Sequence, residues 1–483
     1  MRKIISSFVL AAAVCTGCAE NHNKNLEKLE SFIQNDTTIT HNLRVLCKEY
    51  PARLSGSENN RKAQEYLYNE FAQMGTDVSL MEVPVPNWYG GESTVEVIVG
   101  GKSTSVPSVN LGLAEGTGGK TITEQVVEIK SRKELDEKNV KGKIVFFNDP
   151  MKSHGDYGRA GWQRRLGPGL AAEKGAKGVV IRSLTQFMDV HPHTGSTHYS
   201  PNAEKIPAIA ISTIEAEKLS ETIAGNKRVK LAISSTAHTK EGETTGNNVI
   251  AEIKGSLHPE NIIMITAHLD SWHIAEGAHD DGSGVVILMN ILRAFKESGI
   301  QPYNTIRVMP YQDEEVGLQG IHTYAEKKEG SGENHLFHIE IDSGIANPKC
   351  VGLYGDSTKL ANLNTFVETY LDWGYEEPIL VRAGEIYSRF PTSTKFGAIA
   401  GWFIPDNNKD YFFYHHASND NFEVLDQQQL KDCSQALTQL VYLLDRYHNL
   451  ICKKKRSSQL LLFFTKLCRY KASHPNGQSR AGK

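Results

Sequence analysis

The chain contains no Cys-x-x-Cys pair. Its seven cysteines are scattered, with Cys15 and Cys18 near the amino terminus and Cys47, Cys350, Cys433, Cys452 and Cys468 far apart. That spacing excludes a thiolate zinc site or a thioredoxin-like motif. A chain of 483 residues, 39% of them hydrophobic, can bury a large core and needs no disulfide framework. Pairing among the five later cysteines is left open. Beyond the leader, no apolar run reaches the roughly 20 residues of a membrane-spanning helix. Internal repeats and low-complexity segments are also missing. Basic residues are scarce in the body of the chain. Nine of the 53 Lys and Arg side chains fall between Lys453 and Lys483, a stretch with no acid. Setting these aside, with Arg2 and Lys3, leaves 42 basic against 56 acidic residues, a body charge of −14. Such a body argues against nucleic acid as a partner.

The amino terminus has the layout of an export signal. Arg2 and Lys3 precede an apolar run from Ile4 to Val14, and Thr16 and Gly17 lead to Cys18. Cys15-Thr-Gly-Cys18 resembles a lipobox, although Cys15 stands where a Leu-like residue is usual. Cys18 is therefore a candidate lipid anchor, with cleavage and release as the alternative. The expected location is the periplasm, a membrane-anchored lipoprotein there, or the outside of the cell. The tail carries Leu460-Leu-Leu-Phe-Phe464 after its basic run. It reads as an extension, with contact to an anionic surface as the alternative.

Residues 24–75 have helical periodicity, interrupted at Pro51 and the turn Arg53-Leu-Ser-Gly-Ser57. Ala63, Tyr66, Leu67 and Phe71 share one helical face. Alternation from Val78 to Val85 and from Thr94 to Val99 predicts strands. From about residue 120 to 240, short apolar strands at 143–147, 178–181 and 206–211 alternate with a short helix over 170–177. This predicts a compact α/β unit. From Asn247 the pattern lengthens. Strands are expected at 249–253, 262–266, 305–310, 336–341 and 398–404, with helices at 283–295 and 427–447. The fold class is α/β, with a mixed, largely parallel sheet carrying helices on both faces.

Metal-capable side chains follow three of these strands directly. His268 and Asp270 follow the strand at 262–266, Glu314 and Glu315 follow 305–310, and Asp342 follows 336–341. Asp280 and Asp281 open the helix at 283–295, and His416 precedes the last helix. Open α/β sheets bind ligands outside the carboxyl ends of their strands. Zinc takes imidazole nitrogen and carboxylate oxygen, and two metals can share a bridging carboxylate. The adjacent pair Glu314-Glu315 allows one carboxylate to ligate while its neighbour stays free as a base. His191, His193 and His198 form a second histidine group, read as a polar loop facing the cleft, with a further metal site as the alternative.

The motifs His268-Leu-Asp-Ser-Trp272, Gly277-Ala-His-Asp-Asp-Gly-Ser-Gly284 and Asp313-Glu-Glu-Val-Gly-Leu-Gln-Gly320 resemble those of the co-catalytic zinc aminopeptidase family. Glu340-Ile-Asp-Ser-Gly344, Tyr411-Phe-Phe-Tyr-His-His-Ala-Ser-Asn-Asp420 and Pro51-Ala-Arg-Leu-Ser-Gly-Ser57 resemble its plasma glutamate carboxypeptidase-like, or carboxypeptidase Q, branch. The match runs from about residue 25 to 450, in family order. The resemblance implies two zinc ions per chain. His268 and Asp342 would bind one, Glu315 and His416 the other, and Asp280 would bridge them. Glu314 would be the general base, and His415 a donor to the oxyanion. Asp270 would fix the His268 ring through its carboxylate. The unit at 120–240 resembles an inserted protease-associated domain. The chain would then divide into a signal segment (1–18), a catalytic domain in two parts (24–119 and 241–452), the insert (120–240) and the basic tail (453–483).

Two departures stand out. Ile321 replaces a Ser common among relatives, and Glu385-Ile-Tyr-Ser-Arg-Phe-Pro391 follows the substrate-pocket loop only loosely. The resemblance implies an exported exopeptidase acting on dipeptides or on the amino-terminal bond of short peptides. One alternative is a metal-free receptor or peptide-binding module of the same fold, in which ligand positions are usually replaced. Another is cyclisation of amino-terminal glutamine, against which the insert argues. Cobalt or manganese suits the same ligand set, and a homodimer is a candidate assembly.

Overall fold

The computed structural model describes residues 22–447, apart from 202, 226–227, 375–376, 383–388 and 407–409. The expected signal segment with Cys18, the basic tail, and most of the loop beginning at Glu385 lie outside the described residues.

Eight strands form the first sheet, in the order Asp77–Val85, Thr244–Ile253, Asn304–Tyr311, His258–His268, Asn334–Glu340, Ile399–Pro405, Pro348–Tyr354 and Ile379–Arg382. The four central strands, from Asn304–Tyr311 to Ile399–Pro405, run parallel. Antiparallel pairs flank them on either side. The central strands are buried on both faces, so they read as continuous apolar runs rather than alternating ones. All eight residues of Asn304–Tyr311 are buried. The helix Ser283–Glu297 packs against two central strands and the helix Thr38–Lys48. Val285, Val286, Ile287, Leu288, Ile291 and Leu292 are fully buried there, each contributing roughly 1.5–3 kcal/mol by leaving water. The helix Glu58–Gln73 starts where Ser57 accepts a hydrogen bond from the Asn60 amide at 3.1 Å, a side-chain cap. It then buries Ala63, Leu67 and Phe71 in the same core. The last helix occupies residues 427–447. The expected α/β sheet with helices on both faces is what the chain forms.

A second eight-stranded sheet lies in sequence between Asp77–Val85 and Thr244–Ile253. Its order is Lys102–Val106, Ser93–Val99, Val229–Ser235, Ile122–Ile129, Ile144–Phe147, Gly178–Arg182, Ala208–Ile211 and Ser108–Asn110. Its four parallel strands run from Ile122–Ile129 to Ala208–Ile211. This sheet begins at Ser93, so a boundary at 119/120 falls inside it. The cause is long-range pairing: Ser93–Val99 pairs residue for residue with Val229–Ser235. No local pattern announces a partner so distant. The short helix there is Gly167–Glu173, a little earlier than expected.

Cys47, Cys350 and Cys433 are buried free thiols. No helix among the described residues is long and apolar enough to cross a membrane.

Candidate metal centre

The parallel strands deliver their carboxyl ends to one place. His268 ends one strand, Glu314 and Glu315 follow a second, and Asp342 follows a third. Asp280 sits in the turn before the helix Ser283–Glu297, and His415 and His416 follow the short helix Tyr411–Tyr414. All are buried except Glu314 and Asp342, which are half-buried at the cleft.

The geometry divides these side chains about Asp280. His268 Nε2 lies 3.1 Å from Asp280 Oδ1 and 3.6 Å from Asp342 Oδ1. His416 Nε2 lies 3.5 Å from Asp280 Oδ2 and 2.9 Å from Glu315 Oε2. One Asp280 oxygen thus faces each histidine. Asp280 Oδ2 and Glu315 Oε1 are buried with no hydrogen-bond partner. Orphaned buried carboxylate oxygens are costly unless something positive meets them. Three overlapping groups of metal-capable atoms occur here: His268, Asp280 and Glu315; Asp280, His415 and His416; and His268, Glu314 and Asp342. Nitrogen and oxygen donors in this arrangement fit divalent zinc.

Electrostatics points the same way. Burial, followed by the charges of Asp280 and Glu314, pushes the Glu315 carboxyl well above its usual range. Burial also raises Asp280, against the pull of His268. Burial opposes charge on His268, yet Asp280 and Asp342 hold that ring well above its ordinary value. Burial keeps His415 and His416 neutral, as ligating or donating rings must be. Crowded carboxylates of this kind are stabilised by a bound cation.

The ring orientations are set by backbone carbonyls. His268 Nδ1 donates to the Asp270 carbonyl at 2.8 Å, which directs Nε2 toward Asp280. The Asp270 carboxylate was expected to do this, but it stands 3.8 Å from Nδ1. It instead accepts from the amides of Glu314 and Glu315, at 3.2 and 3.3 Å. Asp270 therefore orients His268 through its main chain and braces the Glu314-Glu315 turn through its side chain. His416 Nδ1 lies 3.2 Å from both the Thr194 carbonyl and Arg164 Nη1. Donation to the Thr194 carbonyl leaves Nε2 free for a metal, so we assign the proton to Nδ1, and Arg164, which can only donate, then stands beside that N–H without a hydrogen bond to it.

Thr194 belongs to the second sheet's segment, and it is not alone. His193 Nδ1 donates to the His415 carbonyl at 2.7 Å, and the Thr194 amide donates to the His416 carbonyl at 2.9 Å. His193 Nε2 is held by buried Asp189 at 3.0 Å, and His191 binds the same carboxylate. His191, His193 and His198 belong to none of the metal-capable groups among the described residues. The first two serve a buttress for the His415-His416 segment. That segment needs one, because His416 has a left-handed backbone (φ 64°), unfavourable for a side-chain-bearing residue.

Several positioning residues escaped the sequence reading. Asp420 accepts from the amides of His279 at 2.8 Å and Asp280 at 3.1 Å, fixing the backbone of the carboxylate that faces both histidines. Trp272 Nε1 donates to Glu315 Oε2 at 2.6 Å. Buried Arg53 ties down the loop after His268 through the carbonyls of Leu269 and Gly277, at 2.7 and 2.8 Å. Ser55 accepts from the Asp313 amide at 2.9 Å. The early Pro51–Ser57 motif thereby acquires a physical role. Arg389, in the loosely matching loop, contacts Glu314 at 2.6 Å, Glu340 at 3.1 Å and also Asp342. Burial disfavours charge on Asp342, but Arg389 and then His268 outweigh it and hold the carboxyl below its usual range.

Two donor sets sharing one carboxylate at the carboxyl edge of parallel strands, with a second carboxylate beside them, define a metal-dependent hydrolase on an α/β sheet. Known proteins agree. The model of peptidase family M28 matches residues 248–441. Carboxypeptidase Q of Bos taurus is 30% identical over 398 residues, covering 80% of this chain and 81% of that protein. Carboxypeptidase Q of Homo sapiens is 29% identical over 394 residues, with coverage of 80% and 81%. Among solved structures, a peptidase M28 precursor from Shewanella amazonensis SB2B superposes with a TM-score of 0.80 at 27% identity, covering 88% of this chain and 97% of that one. A zinc aminopeptidase from Bacillus subtilis shares the fold, with a TM-score of 0.61 at 18% identity and coverage of 84% and 94%. The chain belongs to peptidase family M28 and is a metallopeptidase.

Proposed function

We propose that this chain is an exported exopeptidase that uses two zinc ions to hydrolyse dipeptides or the amino-terminal bond of short peptides. The observation that carries the reading is the Asp280 carboxylate, one oxygen facing His268 and the other His416, with Glu314 alongside. His268, Asp342 and Asp280 would hold one zinc, and Glu315, His416 and Asp280 the other. Bound zinc supplies an acidified water and polarises the scissile carbonyl.

The chain's own residues supply the rest. Glu314 is half-buried and lines the cleft, beside His268 and Asp342 and in contact with Arg389 at 2.6 Å, but outside the group that contains Glu315. Its carboxylate takes the water's proton and returns it to the leaving amine. His415 Nδ1 is buried without a partner, and its ring stacks on His416 with centroids 3.6 Å apart. A neutral ring held so rigidly can donate to the oxygen that gains charge. Trp272 and Asp270 keep Glu315 and its neighbour in place. The names of the carboxypeptidase Q relatives support peptide hydrolysis, and the pattern from Arg2 to Cys18 supports export.

The test is metal content and dipeptide hydrolysis on one sample, wild type beside Glu314→Gln. The expected result is about two zinc per chain in both proteins, with the turnover rate lost in the mutant, by roughly 10²–10⁴-fold for a missing general base. Wild-type protein that neither binds nor is activated by zinc or cobalt would overturn the reading and leave a peptide-binding module.

A further inference from the structure

Charge at the metal centre is balanced on one side only. Among the described residues no Lys or Arg pairs with Asp280 or Glu315, whose ionisable partners are histidines. The other side differs. The single guanidinium of Arg389 meets three carboxylates. Its Nη1 lies 2.6 Å from Glu314 Oε1, and its Nη2 contacts Asp342 Oδ2 and lies 3.1 Å from Glu340 Oε1. Asp342 is therefore divided, with Oδ1 3.6 Å from His268 Nε2 and Oδ2 on the guanidinium. Of the metal-capable group His268, Glu314 and Asp342, both carboxylates are already held by a cation of the protein's own.

Neighbouring residues fix this cation in place. Phe390 is fully buried and packs edge-on against His338 and Trp402, with ring centroids 5.0 and 4.6 Å away, which ties the main chain beside Arg389 to the sheet. Glu340 is 1% exposed and accepts from the Tyr311 hydroxyl at 2.5 Å. It belongs to none of the metal-capable groups, and Arg389 is its one ion-pair partner among the described residues. A buried carboxylate outside the donor sets thus anchors the guanidinium from behind. A guanidinium keeps its proton at any working pH, so the positive charge is permanent, with metal or without.

We propose that Arg389 is a stand-in cation, which neutralises the His268–Asp342 side of the centre in the metal-free protein and competes with the zinc that side would take. This rests on the two-zinc reading and goes beyond it. Glu314, Glu340 and Asp342 repel one another when gathered at a largely buried place without a counter-charge. Arg389 removes that cost before any metal arrives, so the protein can complete its fold empty. The same contact then opposes metal, because zinc approaching Asp342 meets a positive charge bonded to its ligand. By linkage, whatever stabilises the empty state more than the loaded one weakens binding to the same extent. A residue that only oriented Asp342 would act with the opposite sign, since its loss would weaken metal binding.

The experiment reads binding and stability, so it does not depend on turnover. Wild type, Arg389→Gln and Arg389→Lys are melted in chelator and in excess zinc, and their zinc affinities are measured by competition with a zinc-binding dye. Gln removes the charge and leaves a donor for Glu340, whereas Lys keeps the charge. In Arg389→Gln one zinc should bind about tenfold or more tightly than in wild type, the effect of one charge-assisted pair, with the other site within about twofold. The metal-free melting temperature should fall by about 3 °C or more, and excess zinc should restore it. Arg389→Lys should lie nearer to wild type in both respects. Zinc affinity that is unchanged or lower in Arg389→Gln, a metal-free melting temperature no lower than that of wild type, or Arg389→Lys protein that behaves as Arg389→Gln overturns the proposal. Arg389→Gln protein that folds only with zinc upholds it, and one that stays unfolded with zinc overturns it. Wild type that takes up no zinc sinks the two-zinc reading, and Arg389→Gln then decides the stand-in alone, upheld if the variant takes up zinc and overturned if it does not.

Discussion

Replacing Asp420 removes the group that holds Asp280, the carboxylate between His268 and His416, from behind. Its two oxygens accept from the amides of His279 and Asp280, at 2.8 and 3.1 Å, and the residue is 1% exposed. Alanine leaves both buried N–H groups without an acceptor. At about 1–3 kcal/mol for each orphaned group, the apo-protein should lose roughly 2–6 kcal/mol. Asparagine keeps one acceptor and turns an amide donor toward the other N–H, so it should lose about half as much. The same change frees the main chain of Asp280 to shift, and loss of a group that orients a ligand typically weakens metal binding by about 10–100-fold. Urea unfolding of the metal-free proteins gives the first quantity, and competition with a zinc-binding dye gives the second. Asp420→Ala protein within about 0.5 kcal/mol of wild type, with unchanged zinc affinity, would refute the argument that Asp420 supports the centre.

Three other expectations follow from contacts around the site. In Gly112→Ala a Cβ would fall 2.1 and 2.4 Å from Trp272 ring carbons; pushing the indole off Glu315 should lower kcat/KM and destabilise the fold by about 1–3 kcal/mol, read by kinetics and urea unfolding together. His193→Phe cannot donate to the His415 carbonyl or to Asp189; zinc affinity should fall, while far-ultraviolet circular dichroism stays that of the wild type. His338 is fully buried between the hydroxyls of Thr266 and Thr392, and burial lowers its pKa to about 3. The unfolded chain takes up that proton near pH 6.5 and the folded protein does not. Stability should therefore fall as pH drops from about 6.5 toward 3, at up to about 1.4 kcal/mol per pH unit from this ring. His338→Gln should flatten that slope in urea midpoints measured between pH 7 and 4.

The parts of this structure that sequence makes legible are those with a local signature. The strand ending at His268 and the strand leading to Glu314 are apolar runs capped by polar residues, and both stand in the central sheet. His268, Glu314, Glu315 and Asp342 could be named because each follows or ends such a strand, and Asp280 because it precedes a helix, whereas His416 stood out mainly through the resemblance of its motif. What periodicity missed is long-range. The strands Pro348–Tyr354 and Ile379–Arg382 pair at the edge of the sheet, where half-burial blurs the apolar run. Asp420 meets Asp280 across 140 residues. Arg389 reaches Glu314 from a loop with no regular pattern. Asp270 shows a subtler limit: its presence beside His268 was legible, but its choice of carbonyl over carboxylate depends on where Glu314 and Glu315 place their amides.

The seam between the two sheets explains why the second belongs to the chemistry. His415 and His416 leave a four-residue helix too short to hold them, and His416 adopts a left-handed backbone. Such a conformation costs about 1–3 kcal/mol and persists only where surroundings enforce it. The enforcement comes largely from across the seam: the His193 ring and the Thr194 amide bind the carbonyls of His415 and His416, and His193 and Ala417 form an antiparallel bridge. Asp189 holds His193 in turn, and burial of that carboxylate is outweighed by His193, the His191 amide and the His191 ring, which keep it ionised. The chain of contacts therefore runs from a buried carboxylate in the second sheet's segment, through one imidazole, to the main chain of two residues that face Asp280. Severing it anywhere should act on the metal before it acts on the fold, because the cores of the two sheets are built from separate apolar clusters.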